Sequence, residues 1–246
     1  MIATRRLLGL DLADCDAAGA AAWIAARSPQ AAFGYVVTPN ADHFVRLARD
    51  PALAAIYRAA ALTLLDSRVV AAAARLLGLA PPRVATGADV VAILLARHLA
   101  PGERLTILGL APRYLPALMA ATGMAPPAHY DPPRGLAADP TAIALCADFA
   151  AAHPARLTLI ALGSPQQERV AAAIAARAGM RGTALCIGAG LDFLAGRVAR
   201  APRWMRAGGM EWLFRLAQEP RRLAPRYLRD DPAVFALLLR AALTGR

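Results

Sequence analysis

Apolar runs of strand length alternate with alanine-rich segments of helical length along most of this chain. In one stretch, the apolar run Leu157–Leu162 breaks at Gly163, Pro165 follows, and the alanine-rich segment Val170–Ala176 comes next. A strand, a tight loop and a helix in immediate succession form the half-unit of a parallel α/β sheet. The stretch therefore predicts a buried strand with a polar loop, residues 163–168, at its carboxyl end.

The same alternation recurs at least five times, with no internal repeat and no low-complexity linker. It predicts a Rossmann-like parallel sheet flanked by helices, after a short opening segment. The predicted strands are Ala32–Thr38, Ala61–Leu65, Leu105–Gly109, Leu157–Leu162 and Thr183–Gly188, with a short one near His129. The predicted helices are Ala17–Ala26, Ala41–Arg49, Pro51–Ala60, Val69–Leu77, Val90–His98, Pro112–Ala121, Thr141–Ala152 and Val170–Ala176, and Pro126–Pro140 is a predicted loop.

Polar side chains follow several of these strands. Thr38 and Asn40 follow one strand, Asp66 follows the next, and Gln167 follows the strand at 157–162. Because the carboxyl ends of parallel strands meet at one edge of a sheet, we expect these residues to border a common ligand site. A carboxylate there can act as a general base toward a sugar hydroxyl. The alternative is that each residue only caps the helix that follows it.

The positive charge is concentrated near the end of the chain. All 28 basic residues are arginine, and high alanine and arginine contents without lysine indicate a GC-rich genome. Residues 197–246 carry 11 arginines and four acidic residues, which is a net charge of +7 out of a formal +11. This distribution predicts contact with phosphate, anionic lipid or nucleic acid. Trp204 and Trp212 among these arginines are typical of a helix lying on a membrane surface, or else they pack in a core.

Several kinds of site lack support in the sequence. Cys15, Cys146, Cys186 and the four scattered histidines show no metal-ligand spacing, so we expect no metal site. No GxGxxG fingerprint and no Walker lysine are present, so we expect no dinucleotide cofactor. Acidic residues from Asp11 onward interrupt the first apolar stretch, which argues against a signal peptide. Charged residues also interrupt every stretch of membrane-spanning length.

A set of short motifs carries a resemblance to a known family. The most specific one is the closing run, in which Arg200–Met205 is followed by Glu211–Arg222. Together the motifs resemble the WecG/TagA/CpsF family of bacterial glycosyltransferases (glycosyltransferase family 26), over roughly Gly34 to Leu228. The other motifs are Thr38–Asn40, Asp66, Thr86–Asp89, Gly163–Glu168 and Gly188–Gly196.

The resemblance implies an inverting, metal-independent transferase. Such enzymes move a sugar from a UDP-sugar, often UDP-N-acetylmannosamine or its uronate, to an undecaprenyl-diphosphate-linked acceptor at the cytoplasmic face of the membrane. Asp66 matches the family's proposed catalytic base, and Thr38 matches the threonine beside it. The positions that match the nucleotide-sugar pocket are Asn40, Gln167, Glu168 and Asp192.

Without a metal, the departing UDP needs positive charge and backbone N–H groups. We expect the helix starts near Gly163, Pro165 and Gly188 to supply N–H groups, because helix N-termini favour anions. Arginine suits a diphosphate because its planar fork binds two oxygens. The candidate arginines of the closing run are Arg203, Arg215, Arg221 and Arg222.

The resemblance also implies a division of the chain. Residues 1–196 would form the Rossmann-like glycosyltransferase domain, and residues 197–246 an Arg-rich helical appendage that faces the membrane and the acceptor. The protein would be cytoplasmic and peripheral on the inner face of the cytoplasmic membrane. The sequence leaves open whether the appendage contacts the membrane or a second copy of the chain in a homo-oligomer.

The residues around Asp66 leave the donor sugar less defined. The family commonly has proline before and glycine after the motif aspartate, whereas Leu65, Ser67 and Arg68 surround Asp66 here. This loop borders the donor sugar, so the departure indicates an exopolysaccharide branch that transfers glucose or another hexose. The alternative functions are an Arg-rich nucleic-acid-binding protein and another nucleotide-sugar-binding α/β protein without transferase activity. The polar strand ends and the lack of a base-stacking surface argue against nucleic acid as a partner.

Overall fold

The computed structural model describes residues 2–133, 135–136 and 139–244. The chain begins with an antiparallel hairpin of β1 (Thr4–Leu7) and β2 (Leu10–Ala13). Within the described residues, one parallel sheet has six strands: β3 (Gly34–Val37), β4 (Leu62–Thr63), β5 (Thr106–Gly109), β6 (Ala128–Tyr130), β7 (Leu157–Ala161) and β8 (Thr183–Cys186). Their order across the sheet is β4-β3-β8-β7-β5-β6, with Val36 opposite Leu62 and Gly34 opposite Thr183. The predicted Rossmann-like parallel sheet is confirmed.

Short polar side chains cap many of the helices. Asp16, Asn40, Asp50, Ser67 and Thr86 each accept a hydrogen bond from a backbone N–H of the helical turn that follows. Such caps satisfy donors that have no partner inside the helix. The helices are α1 (Ala17–Ala26), α2 (Ala41–Arg49), α3 (Pro51–Arg58), α4 (Arg68–Leu76), α5 (Gly87–Arg97), α6 (Leu115–Thr122), α7 (Pro140–Ala152), α8 (Gln166–Ala175), α9 (Gly190–Leu194), α10 (Arg203–Ala207), α11 (Glu211–Gln218), α12 (Pro220–Pro225) and α13 (Ala233–Thr244).

The sheet separates two apolar cores. Along β3, Tyr35 and Val37 belong to one core and Val36 to the other, as expected for side chains that alternate across a strand. The first core includes residues of α2, α3, α7 and α8, and the second includes residues of α1, α5, α6 and α9. The helices that follow β3 and β7 therefore pack on one face, and the helix that follows β8 packs on the other. Such a divergence opens a crevice at the carboxyl ends of the strands.

Most predicted elements are present, with shifted ends. The helices Ala17–Ala26 and Ala41–Arg49 have the predicted bounds. The helix predicted at Val90–His98 begins at Gly87 instead, because the Thr86 hydroxyl caps it by accepting from the backbone N–H of Asp89 at 3.1 Å. The predicted helix Pro112–Ala121 is divided into a 3₁₀ turn, Pro112–Tyr114, and α6. Residues 134, 137 and 138 of the predicted loop, and residues 1, 245 and 246, lie outside the described residues.

The opening hairpin is an element that the sequence did not predict. Leu8 and Gly9 at its turn have φ of 49° and 82°. Positive φ at both central residues is the geometry of a type I′ turn, whose twist matches that of the two strands. Leu7, Leu10 and Leu12 of the hairpin are buried in the core. Charged residues between them concealed the short alternating pattern.

The arginine-rich segment, residues 197–246, packs against helices of the first core near its C-terminal end. Helix α13 packs against α2 and α4, and its Val234 and Leu238 are buried in the first core. The division of the chain near residue 197 stays a prediction. In the described part of the chain, no helix has both the length and the apolar character that crossing a membrane requires.

Candidate active site

A cavity of about 830 Å³ opens at the carboxyl edge of the sheet. Thr38, Asp66, Gly163 and Gly188, which follow β3, β4, β7 and β8, line one wall. Residues of α10, α11 and the turns after α12 line the opposite wall. The volume is within the range of roughly 300 to 1,000 Å³ that is typical of small-molecule sites. The sheet edge and the arginine-rich segment therefore enclose one site between them.

Asp66 is the carboxylate that the sheet edge presents to this cavity. Its Oδ2 accepts a hydrogen bond from the backbone N–H of Gly87 at 2.9 Å. Burial raises the pKa of Asp66 to about 7, with Glu211 and Asp89 adding to the rise, while the Gly87 N–H and the Arg215 charge oppose it. A base whose pKa lies near the working pH is suited to proton transfer. Asp66 is therefore the candidate general base of this cavity.

Thr38 lies beside Asp66, as the resemblance implied. Its hydroxyl is buried and donates to the Cys186 carbonyl at 3.4 Å. A Cβ atom added to Gly87 would lie 3.0 Å from Thr38 Oγ1 and 3.6 Å from Asp66 Oδ2. The start of α5 therefore lies close to both side chains, and a side chain at position 87 would crowd the Thr38 hydroxyl.

Asn40 both caps α2 and binds the opposite wall. Its Oδ1 accepts from the backbone N–H of His43 at 3.4 Å and from Arg226 Nη2 at 3.0 Å. The ring of His43 completes a capping box, with Nδ1 accepting from the Asn40 backbone N–H at 3.2 Å. Burial, together with the Arg226 and Arg46 charges, lowers the pKa of His43 to about 3. The imidazole is therefore neutral, as the acceptor role of Nδ1 requires.

Gln167 reaches the cavity, whereas its neighbour Glu168 does not. Gln167 Oε1 accepts from the backbone N–H of Gly188 at 2.8 Å. Glu168 has no exposed surface, and its Oε1 accepts from the Tyr57 hydroxyl at 2.9 Å. Successive helical residues point about 100° apart, so Glu168 faces the core when Gln167 faces the cavity. Pro165, in a cis peptide with Ser164, also lies outside the cavity lining.

Two of the four predicted arginines line the cavity. Arg215 and Arg222 belong to its lining, and Arg222 pairs with Glu219. The Arg215 guanidinium lies 5.7 Å from the ring centroid of Phe193. Its Nε is buried and has no hydrogen-bond partner among the described residues. Arg215 therefore retains donor capacity for a ligand.

Arg203 and Arg221 are placed elsewhere. Both side chains are exposed and neither belongs to the cavity lining. They occupy the first helical turns of α10 and α12, on the outer side of the segment. Arg203 and Arg221 thus lie apart from the cavity, as Pro165 and Glu168 do, and their role in binding a substrate stays a prediction.

Asp192 lines the cavity but is held by an internal partner. Its two carboxylate oxygens accept from Arg197 Nε and Nη2, both at 2.7 Å. The hydrogen bond to Asp192, which is the largest influence, raises the pKa of Arg197. A ligand hydroxyl that binds Asp192 would share the carboxylate with this guanidinium.

Four arginines that the sequence analysis did not assign to the pocket also line the cavity: Arg68, Arg197, Arg206 and Arg226. Arg206 and Arg226 both line the cavity, and they bind Asp89 at 3.2 Å and Asn40 at 3.0 Å. Asn40 and Asp89, to which Arg226 and Arg206 bind, belong to motifs that the sequence analysis had already identified. Two such polar residues near a run of arginines are the signal that could have indicated Arg206 and Arg226. Among the described residues, no cluster of three or more His, Cys, Asp and Glu side chains is arranged to hold a metal ion.

The fold and this site define an α/β enzyme that places a carboxylate opposite arginines. The model of the glycosyl transferase WecG/TagA/CpsF family matches residues 5–246, nearly the whole chain. The chain therefore belongs to this family, and it is a glycosyltransferase of cell-surface polysaccharide synthesis. No curated protein matches the chain at a significant level.

Proposed function

We propose that this glycosyltransferase is an inverting, metal-independent enzyme that uses a UDP-sugar as donor and an undecaprenyl-diphosphate-linked sugar as acceptor. The transferred group is of the N-acetylmannosamine type or a hexose or hexuronate. The observation that carries the proposal is the pairing of Asp66, with its pKa near 7, and the buried, unpartnered Nε of Arg215 in one cavity.

The reaction is a single displacement at the anomeric carbon. The Asp66 carboxylate accepts the proton of the acceptor hydroxyl, and the oxygen forms a bond to the anomeric carbon from the side opposite UDP. The bond between that carbon and the phosphate oxygen breaks, and its electron pair leaves with UDP. One displacement inverts the configuration, and the proton remains on Asp66 until solvent removes it.

The leaving UDP gains negative charge, and Arg215 and Arg222 provide the compensating charge. Charge-assisted bonds to a diphosphate are strongest with arginine, because its fork donates to two oxygens in parallel. Such stabilisation is most effective where the donors are held in place before the reaction. The half-buried position of Arg215 against Phe193 meets this condition.

The outer surface of the arginine-rich segment fits a membrane surface. Trp204, Leu228 and Leu243 are 66%, 66% and 79% exposed, and exposed arginines lie between them. Apolar side chains among cations are typical of helices that lie at the headgroup level of anionic lipids. We therefore assign the protein a peripheral position on the cytoplasmic face of the membrane, with no nucleic acid as partner.

Vesicle flotation tests this surface. The double variant Trp204→Ser and Leu228→Ser should bind vesicles containing anionic lipid more weakly than the unchanged chain does. Leu145→Ser, which alters a 51% exposed leucine of α7, is the matched control and should bind normally. If the unchanged chain instead forms a homodimer that the double variant abolishes, and neither binds vesicles, the surface is a contact between copies.

Mass spectrometry with a panel of UDP-sugars tests the reaction. We expect one donor to transfer its sugar to a lipid-diphosphate-linked monosaccharide, with inverted configuration and unchanged activity in a chelator. Transfer of N-acetylhexosamine or of a hexose or hexuronate would identify the donor. Transfer from a sugar nucleotide other than UDP, or a strict need for a divalent cation, would contradict the proposal.

A further inference from the structure

A buried polar cluster lies directly behind the cavity wall. It consists of Tyr57 from α3 and of Gln167 and Glu168 at the start of α8. Glu168 Oε1 accepts two hydrogen bonds, from the Tyr57 hydroxyl and from Gln167 Nε2, each at 2.9 Å. Tyr57 and Glu168 are 1% and 0% exposed. Burying a carboxyl group costs free energy, and these two hydrogen bonds offset part of that cost.

The bond to Glu168 determines how the Gln167 amide is oriented. With Nε2 directed to Glu168, Oε1 faces Gly188 and accepts from its backbone N–H at 2.8 Å. Gly188 belongs to the turn after β8, and both Gly188 and Gln167 line the cavity. Glu168 thus fixes a turn of the cavity wall through the Gln167 amide.

The second oxygen of Glu168 has a neighbour of its own. Glu168 Oε2 and the Ser164 hydroxyl are both buried and have no hydrogen-bond partner among the described residues. The Ser164 hydroxyl is close enough to affect the pKa of Glu168, which burial raises. A hydrogen bond from the Ser164 hydroxyl would lower the pKa of Glu168 against the rise that burial causes, and Ser164 also lines the cavity. One side chain therefore connects the loops after β7 and β8.

We infer that Glu168 is a positioning residue of the donor site: its buried carboxyl group orients Gln167 and thereby holds the Gly188 turn in the shape that receives the sugar nucleotide. The ligand in this inference rests on the proposed function, whereas the effect on the Gly188 turn does not. Glu168 contacts no substrate and acts only through Gln167 and Ser164.

Two variants of Glu168 separate this role from simple packing. Glu168→Gln keeps a carbonyl oxygen for Tyr57 and Gln167 and places an amide N–H group toward Ser164. Glu168→Leu has a similar size but accepts no hydrogen bond. We expect the Gln variant to keep kcat/KM for the donor within about threefold, and the Leu variant to lose about tenfold or more. Thr106→Val is the matched control, because it removes a buried hydrogen bond of β5 to the His153 carbonyl, away from the cavity.

Hydrogen exchange at the Gly188 amide provides a measurement that needs no substrate. Glu168→Leu should raise its exchange rate about tenfold or more, whereas Glu168→Gln and Thr106→Val should leave it unchanged. If Glu168→Leu does not fold, Gln167→Met replaces it and should raise the same rate. Unchanged Gly188 protection in the Leu or Met variant, or equal damage by Gln and Leu, would overturn the inference. If the unchanged enzyme transfers no sugar but shows this exchange pattern, the proposed function fails and the positioning role stands.

Discussion

The two walls of the cavity are built in different ways. The sheet edge holds Thr38, Asp66 and Gln167 by hydrogen bonds to backbone groups, on strands and helix starts that are part of the core. The opposite wall consists of helices of five to eight residues, and its arginines are held by ion pairs such as those of Arg200 and Arg206 with Asp89. The reacting group is therefore on the sheet edge itself, while the charge for the leaving group is on short helices whose arginines form ion pairs with that edge.

The energies of the two walls differ accordingly. The ion pairs of Arg200 and Arg206 with Asp89 are partly buried, and pairs that solvent reaches contribute on the order of 1 kcal/mol each and weaken as salt is added. Hydrogen bonds between buried groups of the sheet edge cost about 1–3 kcal/mol when one partner is removed. Substitutions on the sheet edge should therefore impair the chemistry, and substitutions on the arginine wall should weaken binding and charge stabilisation.

Asp66→Asn should give the largest effect. The amide cannot accept the acceptor's proton, whereas its carbonyl oxygen still accepts from the Gly87 N–H. We expect kcat to fall by about a thousandfold or more, while UDP binding measured by calorimetry changes less than about threefold. In the unchanged enzyme, kcat/KM should rise with pH through about 7, because the ionised carboxylate is the active form. Near-normal turnover by the variant would remove Asp66 from the role of base.

The same variant should be more stable than the unchanged protein at high pH. The pKa of Asp66 is about 7 in the folded state against 3.8 for an ordinary aspartate, so the unfolded state releases this proton more readily. The unchanged protein therefore loses stability as pH rises from about 4 to 7, and an uncharged asparagine does not. Urea unfolding should show a gain of about 4 kcal/mol at pH 8 and less than half of that at pH 5. A gain independent of pH would contradict the raised pKa.

Arg215→Ala, on the opposite wall of the cavity, should lower activity less than Asp66→Asn does. Loss of a charge-assisted bond to the diphosphate should lower kcat/KM about tenfold, and Arg215→Lys should not restore it because lysine lacks the fork. Arg240→Ala removes the same charge from an exposed position of α13 and is the control. Equal losses in both variants would mean that net charge, rather than this guanidinium, supports the reaction.

The helices and the strands of the parallel sheet could be predicted from the sequence, whereas the opening hairpin could not. The cap Asn40 and the apolar pattern that follows it determine α2 locally, and the predicted bounds are confirmed. The hairpin depends on a contact between β1 and β2, in which Arg6 pairs with Asp11 across the turn. Its strands are four residues each, which is too short for their alternation to stand out.

Site residues could be predicted from the sequence only where the order of the parallel strands determines their position. Asp66, Thr38 and Gln167 meet because parallel strands end at one edge, and that follows from strand order. Whether Gln167 or Glu168 faces the cavity depends on the rotation of α8, which adjacent residues of similar polarity do not reveal. The positions of Arg206 and Arg226 depend on how the final segment folds back, and no spacing in the sequence encodes that path.

The anchoring of α13 limits how the arginine wall can move. Leu223, Val234 and Leu238 are buried, so the segment that starts after Gly196 is fastened at both of its ends. A polymer loop with two fixed ends has no free end to swing and opens by bowing outward. The length of chain between the two attached ends therefore limits how far the arginines of this segment can move from the cavity.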